Sequence, residues 1–541
     1  MKKITNTTFS KCILIIAAAA PLFTGCKKDT ATTATTTATL DKSDTVLFSK
    51  TLATTKSSVP LKNMFGVNSY AWDFLQNPSN PNDVSALYLP KMNLINSFTM
   101  VRHYLDWNLM ESKQGNYTFN PCAAGSWNLD AIYAGAKAAG ITILADIKCC
   151  PDWLVKTYPT GQQDAENVPA PYGLDRSAPA SYILQGKMAF QFAARYGSNA
   201  AVDKSQVSVY AVPRWTADPI NVVKIGLGLV KYIECDNERD KWWKGAKAEQ
   251  TAEEYAANMS AFYDGDMGKL GKNVGVKNAD PNMVVVMGGL ASANFAFVQG
   301  MINWCKTHRG YRADGSVNLC FDVINYHYYN EANNIGLAPE LSNAASNADQ
   351  MVAIANSIPN KPEVWITESG YDINAQSNFR APAIGSKSAL LVQGDWIVRS
   401  SLLYLKHGIK RLFYYQLFDA FPNNPTQFST SGLTEQSNLT RRPAANYLLQ
   451  LNALMGGYTY QKTIYSNPMV DIYSNGTKYI YALYQPTASN KSATYNYKIA
   501  INAATIYKLN PTGSTITNAP ATIKNGSISV TIGETPIFIT N

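Results

Sequence analysis

At 541 residues the chain exceeds one typical domain, although a single α/β barrel can occupy most of that length. Its 47 basic and 38 acidic residues leave a net charge of +9 that is scattered and forms no basic stripe, so no nucleic-acid partner is expected. The eight cysteines match no zinc-ligand spacing.

The first elements belong to export. Met1-Lys2-Lys3 is followed by the apolar stretch Ile13–Ala20 and by Leu22-Phe23-Thr24-Gly25-Cys26, the pattern of a secretory signal. The Gly25-Cys26 junction resembles a bacterial lipobox, with Phe23 where Leu is usual, and this makes Cys26 the expected lipid anchor. The plain alternative is an ordinary signal with an incidental cysteine. The apolar run is too short to span a bilayer. Residues 1–25 therefore read as a lipoprotein signal peptide, and residues 26–58, which open on a Thr/Ala tract, as a flexible stalk. The expected location is the outer membrane. Lys27-Lys28-Asp29 favours neither its periplasmic nor its exterior face.

Eight strand-like runs follow: Met64–Tyr70, Phe98–Tyr104, Ile141–Ile147, Leu229–Cys235, Met283–Gly288, Phe321–His327, Glu363–Glu368 and Arg411–Leu417. Several are nearly continuous apolar runs, as parallel strands buried on both faces require. Amphipathic stretches at Leu129–Ala139, Ile183–Tyr196, Asn347–Ile358 and Ala389–Lys406 read as helices, and Thr251-Ala-Glu-Glu254 as a capping-box helix start. Eight such repeats predict a (β/α)8 barrel over residues 59–450. A Pro-rich loop from Tyr158 to Pro179 lengthens the connection between the third and fourth strands, at the end where barrels shape substrate clefts.

From residue 457 to 541 short alternating runs such as Lys478–Tyr484, Tyr495–Asn502 and Ser527–Ile532 predict a small β-sandwich, read as a structural appendage in preference to a sugar-binding module. Cys149, Cys150 and Cys235 lie in or beside apolar strand runs and read as small core residues. Cys305 and Cys320 are a candidate disulfide, which an exported protein can hold.

Two segments carry the chemistry. Lys231-Tyr-Ile-Glu-Cys-Asp-Asn-Glu238 and Glu363-Val-Trp-Ile-Thr-Glu-Ser-Gly370 are strand-like runs in which a glutamate closes the strand. Two carboxylates at the C-terminal ends of different strands meet the needs of glycosidic bond cleavage: one protonates the leaving oxygen, the other attacks the sugar carbon or activates a water. The acid must stay protonated near neutral pH, so its surroundings must raise its pKa, and Trp242 and Trp243 offer apolar cover for Glu238. Glu234 and Asp236 compete for the acid role.

The arrangement resembles the clan A glycoside hydrolases, the 4/7 superfamily of retaining β-glycosidases, with family 39 and family 5 type barrels as the nearest patterns. The resemblance implies Glu238 as acid/base after Asn237 at the end of strand four, and Glu368 as nucleophile at the end of strand seven. It also covers Glu234 four residues before Glu238, Arg102 as the arginine beside the nucleophile, His327-Tyr-Tyr329 as the His-x-Tyr element, and Glu111-Ser-Lys-Gln-Gly115. Arg239 stands where many relatives have Pro, Asp236 where family 39 often has Trp, and the eighth run lacks the Trp that often floors the sugar subsite.

From these roles, Arg102 and Tyr329 are expected to hold Glu368 ionised and oriented, and Asn237 to meet a sugar 2-hydroxyl. The plain alternative for Arg102 is neutralising a buried barrel carboxylate, and for His327 a satisfied polar core residue. Trp72, Trp107, Trp153, Trp242 and Trp243 fall just beyond strand ends and are candidate sugar platforms, each equally readable as core. The expected activity is double-displacement hydrolysis of β-linked glycan, acting within the chain, with no cofactor or metal. A glycan-binding surface lipoprotein with a degenerate barrel is the rival.

Overall fold

A computed structural model describes residues 39–49, 58–216, 218 and 220–541. The proposed signal, Cys26 and the first part of the proposed stalk lie outside these residues.

Eight parallel strands close into a barrel: β1 (Gly66–Tyr70), β2 (Met100–Asp106), β3 (Thr142–Lys148), β4 (Tyr232–Cys235), β5 (Val284–Met287), β6 (Val323–His327), β7 (Glu363–Glu368) and β8 (Arg411–Tyr414). Each pairs with its sequence neighbours, and β8 returns to β1. The helices that follow the strands include α1 (Leu89–Ile95), α2 (Leu129–Ala138), α3 (Ile183–Tyr196), α4 (Ala252–Asp264), α5 (Phe295–His308), α6 (Ala344–Asn356), α7 (Ala389–Lys406) and α8 (Pro443–Met455). The capping box at α4 forms as read: the Glu254 amide donates to Thr251 Oγ1 at 3.2 Å and the Thr251 amide to Glu254 Oε2 at 3.1 Å. No helix among the described residues is long and apolar enough to cross a membrane.

The lower end of the barrel is filled by Met100, Leu144, Tyr232, Val286, Val323, Trp365 and Phe413, an apolar plug. Because strand side chains alternate faces, the residues two positions further on also point inward. They include Arg102, Asp146, Glu234, Asn325 and Thr367, all buried. The barrel thus changes from carbon to charge in one residue pair.

The C-terminal strands form two sheets. The six-stranded one runs Thr459–Ser466, Met469–Ser474, Tyr479–Tyr484, Ile537–Thr540, Thr505–Lys508, Thr517–Pro520, and the four-stranded one contains Ala493–Ile499 and Ser527–Ile532. Val470, Ile472, Tyr481 and Leu483 face the second sheet, while Met469, Tyr473, Ala482 and Tyr484 join the barrel's core. The central strands are therefore apolar on both faces, which explains the continuous run Tyr479–Tyr484.

One correction concerns the segment 26–58. Thr39–Leu47 is a strand of the four-stranded sheet, parallel to Ala493–Ile499, and Leu47 and Phe48 enter the sandwich core. That part of the chain is sandwich, not stalk, because it has an open sheet edge to pair with. Cys305 and Cys320 face each other as buried thiols with Sγ atoms 3.5 Å apart, unbonded.

Candidate active site

Arg102 organises the mouth of the barrel. Its Nε and Nη2 donate to the two oxygens of Glu234 at 2.7 and 2.9 Å, and Nη2 lies 3.1 Å from Asp146 Oδ2. Nη1 donates to Asn68 Oδ1 at 3.1 Å and to Glu368 Oε1 at 2.9 Å, and Nη2 to Asn237 Oδ1 at 2.9 Å. Both sequence readings of this residue therefore hold together, since it neutralises buried carboxylates and touches Glu368. Glu234 is fully enclosed, accepting also from the Gly289 amide and Asn325 Nδ2 at 3.0 Å each. It lines the wall and leaves Glu238 as the carboxylate that reaches the cleft.

Glu368 would point away from the barrel axis if β7 alternated regularly, because Thr367 already faces inward. The β7–β6 register shifts between Ile366 and Glu368, which re-aims the carboxylate. Its Oε1 then accepts from Arg102 and from the Tyr104 hydroxyl, and its Oε2 from the Tyr329 hydroxyl at 2.9 Å. Burial alone would raise this carboxyl. His327, Arg102 and the two tyrosines outweigh burial and hold it below the usual carboxylate value.

Glu238 is presented by a strained turn. Asp236 and Glu238 both adopt left-handed backbone, φ 69° and 49°. The Asp236 carboxylate holds the turn by accepting from the Asn237 amide at 2.8 Å and from the buried Arg239 guanidinium. Arg239 also donates to the carbonyls of Glu166 and Asn167 at 3.1 and 3.2 Å and of Ala248 at 3.1 Å. It thereby ties the long β3–β4 loop to the turn, a bond that a Pro at this position would lack.

His327 bridges the two glutamates: Nδ1 lies 2.9 Å from Glu238 Oε1 and 3.5 Å from Glu368 Oε1, while Nε2 meets Thr367 Oγ1 at 3.1 Å. Gly289 backs the ring, and a Cβ there would overlap the imidazole. One oxygen of each carboxylate and a His327 nitrogen all lie within 4.8 Å of one another.

The structure thus brings together Glu238, Glu368, Asn237, Arg102, His327 and Tyr329. No protein-family model matches the chain, and no curated protein matches it. Solved structures do. A family 39 glycoside hydrolase from the gut symbiont Bacteroides cellulosilyticus WH2 is similar at TM-score 0.59 and 16% identity, over 89% of this chain and 81% of that one. A GH30 endoxylanase from Clostridium papyrosolvens C71 gives TM-score 0.50 and 15% identity over 93% and 98%. A GH51 α-L-arabinofuranosidase from Thermotoga petrophila RKU-1 gives 0.52 and 11% over 90% and 97%.

The chain shares its fold with these three glycoside hydrolases. That fold is the barrel that the clan A resemblance implied, with an all-β unit attached.

The aromatic expectations divide. Trp107 is 1% exposed, packs edge-on against Trp153 and donates to Glu111, so it belongs to the core. Half-buried Trp153 donates its indole N–H to the Glu111 carbonyl at 2.8 Å, which fixes it beneath the loop. Trp242 is 73% exposed and meets half-buried Trp243 edge-on, ring centroids 5.9 Å apart. Trp72 stacks on Tyr70, whose hydroxyl lies 3.1 Å from that of Tyr415. Tyr415 stands just past β8, in the run that lacks the usual Trp.

Sequence reasoning missed Tyr104, Tyr70, Tyr415 and Asn68. Tyr104 carried a usable signal: it stands two residues after Arg102 and so shares its inward face. Tyr70 and Tyr415 meet only through barrel closure, which no local pattern announces.

Proposed function

We propose that this protein is a retaining glycosidase in which Glu368 is the nucleophile and Glu238 the acid/base. The observation that carries this is the closeness of the two carboxylates, with an oxygen of each within 4.8 Å of the other. Retaining enzymes hold their carboxyl groups about 5–5.5 Å apart and inverting ones about 6.5–9.5 Å, because only the latter need room for a water.

Glu368, kept ionised by Arg102 and oriented by Tyr104 and Tyr329, attacks the anomeric carbon. Glu238 gives its proton to the departing oxygen, and the glycosidic bond breaks. Glu238 then takes a proton from water, whose oxygen displaces Glu368 and releases the sugar. His327, within hydrogen-bond reach of both carboxylates, fixes their relative placement. Arg102 occupies the Oδ1 end of Asn237, so the amide NH2 end is the one that can meet a sugar hydroxyl.

The bond cleaved is β-glycosidic, in keeping with the motif pattern, and cleavage falls within a chain: exposed Trp242, four residues past Glu238, is free to stack on a further sugar. The protein reaches its glycan tethered by a lipid on Cys26, and Cys26→Ala is expected to move it from the membrane fraction to the soluble one. Proton NMR of an early time point tests the mechanism. A β-anomer as the first product from a β-glycan is expected, and an α-anomer would overturn the assignment.

A further inference from the structure

Beyond Tyr329 the wall of the site is carbon. Half-buried Phe379 and Phe428 stack on each other, ring centroids 5.0 Å apart at 27°. Both touch Tyr329, at 5.3 and 4.7 Å, and Phe428 also meets Tyr415 edge-on at 6.1 Å. Tyr329 is bonded to Glu368, so the pair stands one ring away from the proposed nucleophile.

The two phenylalanines come from different loops, after β7 and after β8, and one buried carboxylate fastens both. Asp372, four residues past Glu368, accepts from the Phe428 amide at 2.9 Å and the Thr430 amide at 3.2 Å. Its other contact is the Ser377 hydroxyl, which in turn accepts from the Phe379 amide at 3.2 Å, and the Asp372 amide donates to the Phe379 carbonyl at 3.0 Å. Phe428 has φ 67°, a conformation that a β-carbon disfavours and that the Asp372 bond stabilises. A strained turn with a buried anchor thus ends in half-open rings one ring away from Glu368.

We propose that Phe379 and Phe428 form a stacking platform for the sugar that Glu368 attacks, and that Asp372 is the positioning residue holding both rings in place. The inference builds on the glycosidase reading and adds a ligand property: the sugar presents a C–H face, uninterrupted by charge, toward this wall. Phenyl rings offer a π-face to such hydrogens and no hydrogen bond to a hydroxyl.

The test uses 4-nitrophenyl β-D-xyloside, -glucoside, -galactoside and -fucoside, with calorimetric binding of xylo-, cello- and manno-hexaose to the Glu368→Gln protein. Phe428→Leu and Phe379→Leu keep apolar bulk but lose the π-face, and each is expected to lower kcat/KM about tenfold, mainly through KM. Phe428→Tyr, which keeps a ring, should restore most of the loss. Asp372→Asn places an NH2 or a single oxygen before two amide donors, so it should cost a similar factor. The double variant with Phe428→Leu should then lose little more than either single one. Wild-type kcat/KM in both leucine variants, or multiplicative losses in the double variant, would overturn the proposal. If the wild-type protein cleaves neither the four glycosides nor the three hexaoses, the glycosidase reading fails, and hexaose affinity decides the platform separately: unchanged affinity on adding Phe428→Leu refutes it.

Discussion

The two ends of the barrel are built on the same strands and have opposite physics. On β3, Leu144 belongs to the apolar plug and Asp146 to the charged layer; on β4 the pair is Tyr232 and Glu234; on β7 it is Trp365 and Thr367. Two residues along a strand, about 6.6 Å, separate a layer stabilised by leaving water from one stabilised only while every charge is matched. The plug is held by hydrocarbon contact, with Tyr232 and Trp365 also sending a polar atom to Arg411 and Glu363. The upper layer depends on a single guanidinium that answers Glu234, Asp146 and Glu368 at once.

Removing the groups aimed at substrate should produce the largest effect and leave both layers standing. Glu368→Ala is expected to lower kcat by about 10⁴-fold or more while the thermal midpoint stays close to wild type. Glu238→Ala should keep activity on substrates with good leaving groups, and azide should partly rescue it; natural-glycan turnover at the wild-type rate in either variant would break the assignment.

The contrast sharpens with Arg102→Met. This change strands buried Glu234 and Glu368 without their counter-charge, and urea unfolding should report a loss of about 3–5 kcal/mol together with loss of activity. Leu144→Ala, one residue pair below, should cost about 2–5 kcal/mol through the cavity it opens, yet kcat/KM measured on the folded protein should be unaltered. If the lower substitution also damaged catalysis, the two layers would not be separable.

The smallest effect is expected at Asp146. Burial, with Glu234 adding repulsion, raises its carboxyl well above the usual value despite the pull of Arg102. The folded protein then keeps a proton that the unfolded chain has released, so this group's contribution to stability falls as pH climbs toward the raised value. Asp146→Asn imitates the protonated form. It should change stability by no more than about 1 kcal/mol at acidic pH and remove that part of the pH slope. A large loss at pH 5 would mean that the ionised carboxylate is the form Arg102 needs.

Much of the site could be read because chemistry and period coincide in it. Asn237, Glu238 and Glu368 stand at strand ends that apolar runs mark plainly, and Arg102 lies inside such a run. Tryptophans proved uneven guides, since a residue past a strand end can fold back into the core, as Trp107 does, or stay open to solvent, as Trp242 does. Phe379, Phe428 and Asp372 had no signal, because their loops have no period and meet only across the barrel mouth.

By itself, then, the sequence determined the eight strands, the alternation that sends side chains inward, and the placing of Glu238 and Glu368 at strand ends, all of which depend on residues a few positions apart. Tertiary structure alone decided the rest. The register shift that turns Glu368 into the site is a property of two paired strands. The strand Thr39–Leu47 exists because a sheet edge more than 400 residues away pairs with it. The aromatic ring around Glu368 is assembled from β1, β2 and the loops past β6, β7 and β8. A contact between residues far apart in the chain leaves no period in either segment, so only the closed barrel reveals it.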